Sequence, residues 1–510
     1  MKMVKSLILG SAAGLVAMSG AQAADLPVKA KAVEYVRVCS LYGAGFYYIP
    51  GTDTCIKIGG YLRVETAFNT NAQYNGNLGG VAGAKNRLSN YYTSRSREDL
   101  NFDTRTATEY GVVRTFFNAT FSWTTGGYAG AGTGLTGGAT AYDGAPAGTN
   151  GNGSVAGGSL GVYNAFIQFA GFTLGKAVSQ FSAPWTNYPA NNFDGLVGGG
   201  GTVTAVNQFT YTYEFGNGVS AALSAQDQVA YYHGGVYNVS GATALGILGG
   251  SYGLNDIGGT RAPDIVGMVR VDQAWGLFQA SGAAHLNTAG YYGAFETSGS
   301  PGNEWGWAGQ VALSIKNIPT GPGDTINMQA VYTDGATRYN IQDLAPNSIS
   351  AYGGTGVLGA YQSVGFGLAP DSVFVAGGQL EKVKTWGFRG GYTHNWSPHW
   401  NTGIYGAYAQ VSYTDAAKSF ICGSTGMVAL LRAGSTCNPD VNVAQAGIIT
   451  RWIPVKNLTF SSEFTWVRLD QQYAGTVNHP GNAVVAKPIG VYALSDQDSY
   501  TFHLRAQRNF

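Results

Sequence analysis

The chain has 510 residues, with 29 Lys+Arg against 28 Asp+Glu and only 11% charged residues, less than half the roughly 25% of an ordinary soluble domain. A formal charge of +1 without a basic tract excludes the electrostatic footprint of a nucleic-acid binder. Mean hydropathy of −0.04 argues against a bundle of membrane helices, and 13% aromatic residues exclude a disordered chain.

Taken from the start, residues 1–23 read as a secretory signal. Lys2 and Lys5 precede the apolar stretch Leu7 to Met18, and Ala21-Gln22-Ala23 supplies the small residues of a cleavage site. Residues 24–54 form an N-terminal segment carrying Cys39, and 55–510 carry the repeating pattern described next. An exported chain favours disulfides over thiol–metal sites. The four cysteines fall as two local pairs, Cys39/Cys55 and Cys422/Cys437. Of the three possible connectivities, pairing neighbours costs the least loop-closure entropy, and each bridge is worth roughly 3 kcal/mol. A zinc reading would need closer cysteine pairs with histidine partners, and the six histidines are scattered. We therefore expect no metal and no cofactor.

From Ile56 onward, segments of about ten residues alternate apolar and polar side chains between Gly/Asn/Asp/Pro turns. Arg97, Asp99, Asn101, Asp103 and Arg105 share one face of a segment; Val113, Thr115, Phe117, Ala119 and Phe121 oppose Arg114, Asn118 and Ser122 on the next. A period of two is the mark of strands with one apolar and one polar face. About sixteen such segments lie near 56–68, 96–108, 111–124, 161–170, 172–180, 207–216, 219–230, 262–274, 277–289, 304–317, 324–338, 381–395, 400–414, 440–453, 457–470 and 498–510. Short turns such as Asn217-Gly218 alternate with long connections at 125–160, 181–206, 231–261, 340–380 and 415–439. That asymmetry predicts an all-β chain, a 16-stranded antiparallel transmembrane β-barrel with short periplasmic turns and long extracellular loops. Trp123, Trp305, Trp307, Trp386, Trp452 and Trp466 near segment ends fit aromatic girdles at the two lipid interfaces. The last segment alternates Tyr500, Phe502, Leu504 and Ala506 with polar residues and stops at Phe510, like the terminal strand that barrel-assembly machinery reads.

The stretch Val33-Glu34-Tyr35-Val36-Arg37-Val38-Cys39, with Tyr42 to Gly51 and Thr52 to Arg63 after it, resembles the general porins of alphaproteobacterial outer membranes. Arg97 to Thr106 and Arg505 to Phe510 support the resemblance. It implies a homotrimer in the bacterial outer membrane, surrounded by lipid. It also implies passive diffusion of small hydrophilic solutes and ions without a cofactor, through a lumen narrowed by an inward-folded third loop. That loop should follow the fifth strand, at about 181–206. Two prolines, Trp185, Tyr188, Phe193 and the Gly198-to-Gly201 run suit a stiff segment, and Asp194 is its one acid.

Parity places Lys57, Arg63, Glu65, Arg97, Asp99, Asp103, Arg105, Arg114 and Arg270 on the inward wall, with Asp272. Arg63, Arg97 and Arg114 are the first candidates for the eyelet. Lys176 shares its parity with Phe172 and Leu174, so it requires a bulge to join them. Two rival readings differ in class. A channel selective for a saccharide or anion would need an aromatic slide along the lumen. An outer-membrane hydrolase would need a converging nucleophile, base and acid. Gly157-Gly158-Ser159-Leu160-Gly161 fits G-x-S-x-G and Gly132 to Gly137 fits G-x-G-x-x-G, but neither sits in the strand–turn–helix setting that its chemistry demands. We assign no catalytic residue.

Overall fold

Every alternating segment is a strand in the computed structural model, which describes residues 37–70, 74–124, 154–155, 158–200, 205–228, 233–342, 345 and 347–510. The signal segment 1–23, the start of the 24–54 segment and the Gly132–Gly137 motif lie outside the described residues. The barrel strands are β1 (Cys55–Phe68), β2 (Tyr92–Thr108), β3 (Gly111–Thr124), β4 (Gly158–Phe169), β5 (Phe172–Val178), β6 (Ala205–Gly216), β7 (Val219–Gln226) and β8 (Asp264–Gln273). They continue with β9 (Gly276–Thr288), β10 (Asn303–Lys316), β11 (Thr325–Asp334), β12 (Lys384–Ser397), β13 (Trp400–Ser412), β14 (Val441–Val455), β15 (Leu458–Gln471) and β16 (Gln497–Asn509). Each pairs antiparallel with its neighbour in sequence. β16 returns to β1, from Tyr61↔Asn509 to Phe68↔Phe502, so the sheet closes and keeps no free edge.

The turns explain the hairpins. Asn217 and Gly218 both take positive φ, 51° and 73°, the type I′ geometry whose twist matches the strands it joins. The outward face carries Ile58, Leu62, Val64 and Phe68 on β1, all exposed, with Trp305, Trp307, Trp386 and Trp452 likewise exposed on later strands. Rings pair along this surface: Trp307 lies 5.2 Å from Tyr332 and Trp400 6.0 Å from Trp452. A soluble protein would bury this belt; facing lipid, it needs no cover.

Three further long connections, 69–91, 289–302 and 472–496, join those read from the sequence, all at the end opposite the short turns. The loops build structure of their own. Ser348–Gly353, Gln362–Leu368, Thr476–Asn482 and Lys487–Leu494 form a four-stranded sheet, and Val236–Asn238, Leu254–Asn255, Ser372–Phe374 and Glu381–Lys382 form another. A large apolar cluster joins these loops to the inner wall. It runs from Ile247, Ile349, Val364 and Phe366 to Ala407, Val443, Val467 and Leu469. The loop assembly is thus seated on β13–β15 from within.

Both neighbouring cysteine pairs are bridged, Cys39 to Cys55 and Cys422 to Cys437. The first ties the N-terminal segment to the start of β1, where Tyr47–Tyr48 pairs with Cys55–Ile56. Phe46, packed with both cysteines, is buried there.

Candidate constriction in the lumen

The loop between β5 and β6 folds into the barrel and is held from Phe181 to Gly200 by inward side chains. The Phe181 carbonyl accepts from Gln279 Nε2 (3.2 Å), Ser281 Oγ (2.8 Å) and Gln310 Nε2 (2.7 Å). Asn327 donates to the Pro189 carbonyl (3.0 Å) and Arg451 to that of Ala190 (2.7 Å). Gln445 brackets the far end, donating to Gly195 O at 2.8 Å and accepting from Val197 N at 2.9 Å. Arg389, almost fully buried, donates to Gly200 O at 2.7 Å. At Gly198, with φ of 90°, a Cβ would collide with the Phe388 carbonyl. Glycine there lets the loop lie flat on β12.

The tip of the loop is locked by ions. Glu65 on β1 is buried and accepts from Arg95 Nε at 2.5 Å, Arg505 Nε at 2.5 Å and His503 Nε2 at 3.0 Å. Arg95 reaches Asp194 Oδ2 at 3.4 Å. Glu463 accepts from the backbone of Asn192 at 2.9 Å, and Arg505 donates to the Asn192 carbonyl at 3.3 Å. Asp194, expected as an acid facing the pore, is 8% exposed. Arg95 and the Tyr188 hydroxyl (3.1 Å) hold it, so it helps anchor the loop tip. Burial and the adjacent Asp194 carboxylate raise the Tyr188 phenol well above its ordinary value, keeping it a donor.

The other expected residues divide. Lys57, Arg63, Glu65, Arg97, Asp99, Asp103, Arg105, Arg114 and Arg270 all have inward parity in the observed register. Asp103 takes Arg105 at 3.0 Å and Arg114 at 2.9 Å. Asp99 accepts from Asn101 and Asn118, each at 2.8 Å. Arg270 donates to Gln279 at 2.8 Å and lies 5.6 Å from the Trp185 ring of the loop. Lys57 stands near the Phe46 ring, 6.0 Å away, at the N-terminal segment. Arg63 donates to Gln507 (2.8 Å) and lies over Tyr61 (4.5 Å); Arg97 donates to Ser122 (2.9 Å) and faces Tyr163 (5.9 Å). Both partners are neutral, and among the described residues neither guanidinium has a carboxylate at ion-pair distance.

Lys176 is a correction. The register from Phe172 to Val178 is unbroken, so Lys176 stays on the outward side, with Nζ on the Val162 carbonyl at 2.5 Å. The bulge lies on the neighbouring strand, where pairing shifts at Asn118/Ala119 and Tyr163 is the extra residue between Val162 and Asn164.

Sequence reading missed Arg95, Glu463, His503 and Arg505 as a group. Arg95 has the same parity as Arg97 and was legible had the second segment been started a few residues earlier. His503 and Arg505 alternate visibly on the last strand, but only barrel closure brings them to Glu65.

A closed sixteen-stranded barrel with an apolar belt and a charged, loop-narrowed interior defines an outer-membrane channel. A family model described as Porin subfamily matches residues 25–502, and the chain belongs to that family. It is 32% identical over 346 residues to porin Omp2b of Brucella neotomae, covering 65% of this chain and 85% of that protein. It is 31% identical over 346 residues to porin Omp2a of Brucella ovis, covering 65% and 90%. Among solved structures, the outer membrane channel DcaP of Acinetobacter baumannii shares the fold at a TM-score of 0.54 and 14% identity, over 91% of this chain and 99% of that one. The chain is an outer-membrane porin.

Proposed function

We propose that this porin is a general diffusion channel for small hydrophilic solutes that favours anions. The observation that carries this reading is the pairing pattern in the lumen. The loop's one acid is spent on Arg95, whereas among the described residues Arg63 and Arg97 have only neutral partners at contact distance. They outnumber the one inward carboxylate so placed beside them, Asp99. In water at about 5 Å, screened by roughly 0.1 M salt, one such charge biases a passing monovalent ion by ~0.5 kcal/mol. Anions gain and cations lose this amount, so each arginine separates them by ~1 kcal/mol, about fivefold in permeability. Reversal potentials across planar bilayers under a salt gradient test it. Anion preference should fall stepwise in Arg63→Gln and Arg97→Gln. A cation preference in the unaltered protein would overturn the proposal. Saturable block by one sugar would instead support a solute-selective channel.

A channel rather than an enzyme is also the reading favoured by the G-x-S-x-G match, since Gly158 to Gly161 lies along β4 with no helix after it. The assembly we propose is a homotrimer. On β2 the outward positions Ser94, Ser96 and Glu98 are polar, and Glu98 sits between outward Leu62 and Phe121. A carboxylate facing hydrocarbon costs on the order of 1–2 kcal/mol, a cost that contact with a neighbouring copy removes. Unheated detergent extracts should migrate as three copies. Phe510, exposed at the end of β16 and bonded through its N–H to Gly60 O at 3.1 Å, is the terminus we assign to recognition by barrel-assembly machinery.

A further inference from the structure

We propose that His233, His285 and Asp371 form a binding site for one divalent transition-metal ion of the zinc class, set at the extracellular end of the barrel away from the constriction. The residues lie far apart in sequence. His233 is in the loop 227–263, His285 near the end of β9, and Asp371 in the loop 335–383. One donor atom from each falls within 4.8 Å of the others. His233 Nδ1 is 3.3 Å and His285 Nε2 3.6 Å from the same oxygen, Asp371 Oδ2. A tetrahedral ion with arms of about 2.0–2.1 Å separates its ligands by about 3.3–3.4 Å, so these edges need little adjustment.

The surroundings fit a metal better than a simple polar core. His285 Nδ1 lies 2.9 Å from the Asp264 carboxylate and donates to it, so with an ion bound Nε2, which faces Asp371, is the ligating nitrogen. A carboxylate that fixes the far nitrogen of an imidazole is the recurrent outer partner of metal-bound histidine. Asp264 is itself held by Tyr339 Oη at 2.6 Å and Gln228 Nε2 at 2.7 Å. Asp371 Oδ1 is fixed by the Thr337 N–H at 2.7 Å, and its other oxygen by the Gly234 N–H. His233 Nδ1 accepts from the Gly235 N–H at 3.0 Å and therefore carries no proton; the ion would displace that contact. His285 Nε2 and His233 Nε2 are both buried without a hydrogen-bond partner. Two carboxylates, 0% and 1% exposed, share this space with the two imidazoles. Buried charge of one sign requires a counter-charge, and a dication between the three donors supplies it. Such an ion would fasten two extracellular loops to the rim of β9.

The test uses untagged full-length protein, folded in detergent, stripped with chelator, given zinc and freed of excess by gel filtration. Metal content is then read by mass spectrometry. One zinc per chain is expected, falling to near zero in His233→Ala and Asp371→Asn. Asp264→Asn, which alters only the outer partner, should weaken binding about 10–100-fold. Cobalt in place of zinc should give the visible absorption of a tetrahedral site, lost in the same variants. Heat-modifiable gel mobility and unchanged conductance show that each variant has folded. Absence of retained zinc in the folded wild-type protein would overturn the proposal and leave a protonated His285 as the counter-charge. Equal zinc in all variants would overturn it as well.

Discussion

Glu65→Gln is the perturbation that most directly probes the constriction. In the native barrel this carboxylate is fully buried and meets Arg95, Arg505 and His503 at once. Glutamine keeps the shape but removes the charge that three buried donors share. Breaking a buried ionic group from one side costs about 3–5 kcal/mol, or roughly two to three and a half orders of magnitude in the folding equilibrium. The damage should be local. Contacts from Phe181 to Ala190 and from Gly195 to Gly200 run to Gln279, Gln310, Asn327, Arg451, Gln445 and Arg389, none of which touches Glu65. Only the stretch Asn192 to Asp194 depends on the cluster. Urea titration in lipid vesicles, followed by tryptophan emission, measures the stability loss. Single-channel recording should show an open level near that of the parent but with more frequent brief closures, as the tip moves in the passage. A variant with unchanged urea midpoint and quiet current would refute the idea that Glu65 holds the loop.

Other outcomes follow from the same geometry. Gly198→Ala should force the loop off β12 and raise the open conductance, because the added methyl meets the Phe388 carbonyl; an unaltered conductance would count against flat seating. Reducing the Cys39–Cys55 bridge, or replacing both residues by serine, should lower stability by roughly 3 kcal/mol, read as an earlier melting transition. His479, in the extracellular sheet, is pushed down to about 4 by burial and by the nearby Lys487 charge. It stays neutral when folded, accepting from Gly481 N at 2.9 Å with its other nitrogen 2.9 Å from Tyr352 Oη. Its contribution to stability is therefore complete above the unfolded value of about 6.5 and is lost as pH falls towards about 4. An NMR titration placing His479 near 6.5 would contradict this.

The barrel was legible because each strand has lipid on one side and polar lumen on the other, which stamps a period of two on the sequence. The inward faces of β2 and β3 followed directly from Arg97, Asp99, Asp103 and Arg114. The loop sheets left no such mark. Gln362 to Leu368 is buried on both faces from Ser363 onward, so its residues read as a continuous Gly-rich run. The tie of Asp194 to Arg95 left no mark for a different reason. Arg95 lies 99 residues away, and no local pattern distinguishes a tethering acid from a pore acid. Lys176 shows the reverse case: parity spoke correctly, and the bulge needed to override it occurs one strand away at Tyr163.

The seam between β1 and β16 has a consequence for the order of assembly. It joins Tyr61 to Asn509, the pairing of greatest sequence separation in the barrel wall, so closing it carries the largest loop-closure entropy. Glu65 stands on one side of that seam, His503 and Arg505 on the other. Part of the lock on the loop tip, Arg505 bonding both Glu65 and the Asn192 carbonyl, uses residues that this last pairing brings together. An unfinished sheet therefore leaves buried Glu65 without two of its three donors, whereas completion of the final strand seals the wall and completes the cluster that holds the loop tip.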